Sequence, residues 1–132
     1  MKLGYWLLVI LLAGVAVGIR VSCDKRPVMY GAVSVCEISY YSAPEHGRPT
    51  ACGEIFDSTK LSCATQVDSI RPGENVLFVN GTDSVVCRVN DRMPNVYKRT
   101  HPGRLFDLSR AAFESLGVHV RAGVVDVQWR KF

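Results

Sequence analysis

Residues 89–94 read Val-Asn-Asp-Arg-Met-Pro and place a carboxylate beside a guanidinium at the end of a β-prone run. The preceding Asp83-Ser84-Val85-Val86-Cys87-Arg88-Val89-Asn90 reads as a strand, and Pro94 ends its ladder because it has no N–H to give. A carboxyl group fixed on a strand end can donate or accept a proton, so Asp91 and Arg92 suit acid/base or saccharide chemistry. The same two side chains also suit a structural ion pair that pins a loop. Other side chains of chemical interest are dispersed. Asp57 fits a turn cap, Asp107 fits a carboxylate bonding backbone at a helix entry, and His46 and His101 fall in loops.

The elements that must position these groups are short. Val33, Val35 and Ile38 to Tyr41 read as a first strand, with Tyr40 and Tyr41 on opposite faces. Residues 42–50 are rich in turn-formers and read as a loop, and Leu61 to Thr65 form a brief strand. Asn75 to Val79 and Ser84 to Val89 flank Asn80-Gly81, a favoured hairpin dipeptide. Residues 95–103 read as a polar loop, and Leu105 to Asp107 as another short strand. Ser109 can cap a helix from Arg110 to Leu116, stopped by Gly117, with Ala112, Phe113 and Leu116 on its apolar face. Val125, Val127 and Trp129 alternate along a last strand. Many short strands, one helix and no repeat point to a small closed β-barrel, since closure removes exposed edges.

The chain has 132 residues, enough for one domain and an N-terminal appendage. Residues 1–18 carry Lys2 ahead of an apolar run ending in Ala16-Val17-Gly18, the pattern of a secretory signal peptide, or of a signal anchor if uncleaved. Val21-Ser22-Cys23 resembles the end of a bacterial lipobox with Cys23 as the acylated residue, which would move the boundary to residue 22. Arg20 departs from that pattern. Residues 19–33 are expected to form a short tether and residues 34–132 the folded domain. Export implies an oxidising compartment. Of the five cysteines, Cys36, Cys52, Cys63 and Cys87 lie in the folded region, where three connectivities are open. Strand parity puts Cys63 with Thr65 and Cys87 with Asp91, so Cys63–Cys87 is the expected bridge if those strands are neighbours, leaving Cys36–Cys52. Zinc spacing is absent. The net charge of +4 is scattered, which implies no nucleic acid and suits an anionic polymer such as a cell wall.

Taken together, several runs resemble the rare lipoprotein A (RlpA) family. They are Ser39-Tyr40-Tyr41, His46-Gly47-Arg48, Thr50-Ala51-Cys52-Gly53-Glu54, Phe56-Asp57, Leu61-Ser62-Cys63-Ala64, the Val89–Pro94 segment and Asp107-Leu108-Ser109-Arg110-Ala111-Ala112. Leu116-Gly117 and Ala122-Gly123-Val124 fit as well, so the resemblance covers roughly residues 37–129. It implies a mainly β fold, a six-stranded double-psi β-barrel with one or two short helices, as in expansins, barwin-like proteins and family-45 endoglucanases. It also implies lytic transglycosylation of peptidoglycan strands lacking stem peptides, in the bacterial periplasm, outer membrane or cell surface, without metal or organic cofactor. Cell-division or wall-synthesis proteins are the expected protein partners, with membrane contact only through the N-terminal anchor or a lipid.

The resemblance assigns the acid/base role to Asp91. Arg92, Tyr40, Glu54 and Asp107 are the expected substrate-binding residues, Tyr40 or its neighbour as a stacking platform. The Arg92 charge would favour ionised Asp91 if the two heads met, so the direction of the guanidinium matters. One departure is chemical. The family's Leu-Thr-Ala-Ala-His reads Leu61-Ser62-Cys63-Ala64-Thr65 here, and a threonine cannot relay a proton near neutrality as imidazole does. A barrel that binds glycan or a partner protein without cleaving it is therefore the alternative expectation.

Overall fold

The structure is a computed structural model and describes residues 32–41 and 43–132. The expected signal segment, most of the tether and Cys23 lie outside the described residues. Six strands, β1 (Ser34–Tyr40), β2 (Ser62–Thr65), β3 (Asn75–Asn80), β4 (Asp83–Arg92), β5 (Arg104–Leu108) and β6 (Val125–Lys131), close into a barrel in the order β1-β5-β2-β4-β3-β6. Two neighbouring pairs, β1/β5 and β2/β4, are parallel and the other four are antiparallel. β2 lies between β4 and β5, and all four of its residues are buried.

Alternation fills the interior. Val85, Cys87 and Val89 of β4 point inward with Val76 and Phe78 of β3, Leu108 of β5 and Val127 of β6. Phe106 is the central packing element, with edge-on rings of Phe78 and Trp129 each 4.9 Å away. Both parallel pairs carry an irregularity. In β2/β4 the partners step from Cys63↔Val89 to Ala64↔Asp91, which leaves Asn90 as an extra residue. In β1/β5 they step from Glu37↔Arg104 to Ile38↔Phe106, which leaves Leu105 extra. Such bulges reverse the in–out alternation beyond them. Asp91 therefore emerges from a strand whose preceding odd-numbered residues are core, and the expectation that Cys87 and Asp91 share a face does not hold.

The hairpin forms one residue later than expected. Asn80 and Asp83 are the closing pair, so Gly81 and Thr82 are the central residues, and Gly81 takes φ +60°. Glycine is suited to that first central position of a tight turn. Asn80 instead donates its side-chain amide to the Leu116 carbonyl, 2.9 Å away. Residues 95–103 contain a helix, α1 (Val96–Thr100), which buries no residue and shows no apolar periodicity to read. The second helix, α2 (Arg110–Ser115), follows expectation. The Ser109 hydroxyl accepts from Ala112 N–H at 3.2 Å, and Ala112, Phe113 and Leu116 are fully buried.

Phe106→Ala is expected to lower stability by about 3–5 kcal/mol, because the cavity would open between two aromatic rings that cannot collapse into it. Urea unfolding followed by fluorescence checks this.

Candidate active site

A cleft of about 550 Å³ opens over the ends of β4 and β5, lined by Tyr40, Tyr41, Asp91, Arg92, Tyr97, Arg104 and Asp107 among others. Asp91 is fixed from three directions. Its Oδ2 accepts from the Tyr41 hydroxyl at 2.9 Å, and its Oδ1 accepts from the Ala51 and Arg92 backbone amides, each at 2.8 Å. Burial raises the Tyr41 phenol far above its usual range, with the Asp91 charge adding to the effect, so the phenol stays a donor. The Tyr41 ring is steadied by Phe56 at 4.6 Å. The Ala51 amide is presented by a tight turn in which Gly53 N–H bonds the Thr50 carbonyl and Gly53 adopts φ +80°.

Asp107 is the second carboxyl of the cleft. Ser39, its register partner on β1, donates its hydroxyl to Asp107 Oδ1. Burial raises the Asp107 carboxyl above its usual value, opposed by the Ser39 hydrogen bond and the Arg104 charge and reinforced by Glu45. Ala64 of β2 pairs with Asp91 on one side and Asp107 on the other. The two acids thus sit two strand spacings apart, roughly 9–10 Å between Cα atoms, with a small side chain between. One carboxyl is committed as a hydrogen-bond acceptor and the other is biased to hold its proton, an arrangement suited to paired proton transfer.

The remaining expected residues divide. Tyr40 lines the cleft and packs on Phe113 at 5.1 Å. The Arg92 guanidinium does not meet the Asp91 carboxylate. It donates from Nη1 to the Val67 carbonyl at 2.8 Å and from Nη2 to the Ile70 carbonyl, so it ties down the segment after β2. Glu54 does not join Asp91 in this cleft. It forms an ion pair with Arg88, accepts from the Asn90 side-chain amide at 3.4 Å, and borders a separate depression with Asp57 and Lys60. Thr65 is fully buried, donates to the Leu105 carbonyl and accepts from Val67 N–H, each at 3.1 Å, and does not line the cleft. Nor do the histidines: His46 bonds Ser58, and His101 follows α1. Ser39, Tyr97, Arg104 and the Ala51 amide are site groups that sequence reasoning did not assign. The Leu105 bulge is what brings Arg104 to the side of Asp107, and no residue type announces it.

Cys36, Cys52, Cys63 and Cys87 are free thiols. Cys63 and Cys87 are fully buried and in hydrogen-bond contact, and that contact, then burial, pushes the Cys63 thiol well up. Cys36 and Cys52 are not brought together. Burial, with the Asp126 and Glu37 charges, pushes the Cys36 thiol up to about 12 against the Leu105 backbone hydrogen bond, whereas Cys52 is exposed near Glu54 and Arg88. Among the described residues, no cluster of three or more His, Cys, Asp and Glu side chains is placed to hold a metal ion.

A closed six-stranded barrel with the parallel pairs β1/β5 and β2/β4 is a double-psi β-barrel. The lytic transglycolase family model matches residues 33–129, and the chain belongs to that family. Among curated relatives, it is 40% identical over 94 residues to the endolytic peptidoglycan transglycosylase RlpA of Yersinia pestis, covering 71% of this chain and 24% of that protein. It is 38% identical over 90 residues to RlpA of Vibrio cholerae, covering 68% of this chain and 32% of that protein. The chain thus spans a third or less of these relatives. The Streptomyces papain inhibitor shares the fold at TM-score 0.59 and 21% identity, covering 80% of this chain and 98% of that one.

The raised Asp107 carboxyl predicts a signed pH dependence. The folded state retains a proton that the unfolded chain loses, so Asp107 costs stability as pH rises from the usual carboxylate value of 3.8 upward through the folded-state value. Asp107→Asn keeps the acceptor for Ser39 and removes the ionisation. The variant is expected to be more stable than wild type at neutral pH, with the difference vanishing below the usual carboxylate range. Urea midpoints measured across pH check this.

Proposed function

We propose that this chain is an exported lytic transglycosylase that cleaves the bond between N-acetylmuramic acid and N-acetylglucosamine in glycan strands lacking stem peptides. The observation that carries the reading is the pairing in one cleft of Asp91, whose two oxygens accept three hydrogen bonds, with Asp107, whose carboxyl burial raises above its usual value. Asp107 gives its proton to the glycosidic oxygen as the N-acetylglucosamine leaves. Asp91 takes the proton of the muramyl 6-hydroxyl as that oxygen attacks the anomeric carbon. The bond closes to a 1,6-anhydro end, and no water enters the balance. With the acid supplied by Asp107, a threonine at position 65 is no obstacle. The family membership and the names of the relatives, peptidoglycan transglycosylases, support the substrate class and an extracytoplasmic setting.

The second reading, a barrel that holds glycan without cleaving it, rests on the burial of Thr65 and on the absence of a histidine from the cleft lining among the described residues.

Incubating the full-length protein with strands stripped of stem peptides, followed by mass spectrometry, separates the two. Anhydromuramyl products are expected from wild type, with a fall of about 10²–10⁴ in rate for Asp91→Asn. Reducing-end products would mean hydrolysis and a water-activating residue. Retained strand binding without any product would make the chain a binding module.

A further inference from the structure

Several cations around the barrel are already engaged. Arg88 pairs with Glu54, Lys98 with Asp68, Arg110 with Glu114 and Lys131 with Glu74, and Arg92 is spent on two backbone carbonyls. Arg130 also has a buried Nε without an acceptor and lies over the Phe132 ring, but it does not line the cleft, which sets Arg104 apart. It lines the cleft, its guanidinium lies over the Tyr97 ring at 5.7 Å, and its Nε is buried with no acceptor. Among the described residues its side chain makes no hydrogen bond or ion pair, and its charge acts on the neighbouring Asp107. A half-buried guanidinium without an acceptor is costly, and a planar donor fork is built for a carboxylate. The Tyr97 ring restricts the swing of the side chain, so less freedom is lost when a ligand engages it.

Resting on the function proposed above, we infer that Arg104, held by Tyr97, is a specificity-determining residue that pairs with the free lactyl carboxylate of a muramyl unit seated in the cleft. The lactyl carboxylate is the anionic group of a glycan strand stripped of peptide. A stem peptide converts it to an amide, which removes the charge and adds bulk at the same point. Peptide-bearing strands would then leave Arg104 unpaired, and discrimination would follow from a lost charge-assisted hydrogen bond. The bias of Asp107 toward its protonated form lessens the repulsion that an incoming carboxylate would meet.

The test uses full-length protein and two preparations of stripped strands, one with free lactyl carboxylates and one converted to the methylamide. Binding is read by calorimetry for wild type, Arg104→Gln and Arg104→Lys. Wild type is expected to bind the methylamide strands about tenfold or more weakly than the free ones. Arg104→Gln is expected to bind both equally, at the weak level, and Arg104→Lys to recover part of the preference. Equal binding of both preparations by wild type, or a preference that survives in Arg104→Gln, would overturn the inference and leave the proposed function standing. Absence of binding to either by wild type would overturn both. The wild-type comparison needs no variant to fold.

Discussion

The two parallel strand pairs, each with one extra residue, are the constraint on which the site depends. Asn90 in β4 and Leu105 in β5 occupy ladder positions that have no partner, and the reversal each produces turns the next chemical side chains toward the cleft. Without the first insertion, Asp91 would continue the inward series of Val85, Cys87 and Val89 and face a packed core. Without the second, Arg104 would share the face of Phe106. The row Asp91, Ala64, Asp107 across three strands is a product of that geometry, and Ala64 keeps the middle of the row low.

Electrostatic roles are divided by distance in space, with little regard for distance in sequence. Arg92 adjoins Asp91 in the chain, yet its charge is directed at the carbonyls of residues 67 and 70, while its backbone N–H serves the carboxylate. The hydroxyl that completes the Asp91 shell comes from Tyr41, and its own burial keeps it protonated. Asp107 has one hydroxyl donor, and burial raises its carboxyl above the usual value. Two carboxyls of the same type thereby receive different duties from their surroundings.

The sequence carried much of this. Strand-like alternation, the Ser109 cap and the buried face of α2 were legible because side-chain period and capping chemistry are local. The Val89–Pro94 and Asp107–Ala112 motifs located both acids. What was not legible arises from non-local geometry. Strand parity could not anticipate two bulges, so Cys87 was placed with Asp91. Glu54 was expected beside the substrate, but it pairs with Arg88 and accepts from Asn90. Thr65 stands at the position of the family's histidine, yet it serves the backbone of Leu105 and Val67 and does not line the cleft. Helix α1 has no buried face and so leaves no pattern to detect.

The groups that hold Asp91 come from widely separated parts of the chain, Tyr41 at a separation of 50 residues and Ala51 at 40. Ser39 reaches Asp107 across 68. Each contact requires a large loop to close before it returns any energy, which is the condition that makes barrels of this kind slow to assemble. The cleft consequently has no local precursor. A nascent or partly folded chain that lacks β5 has one of the acids and not the other, so the two carboxyls come to share a cleft only when the barrel closes.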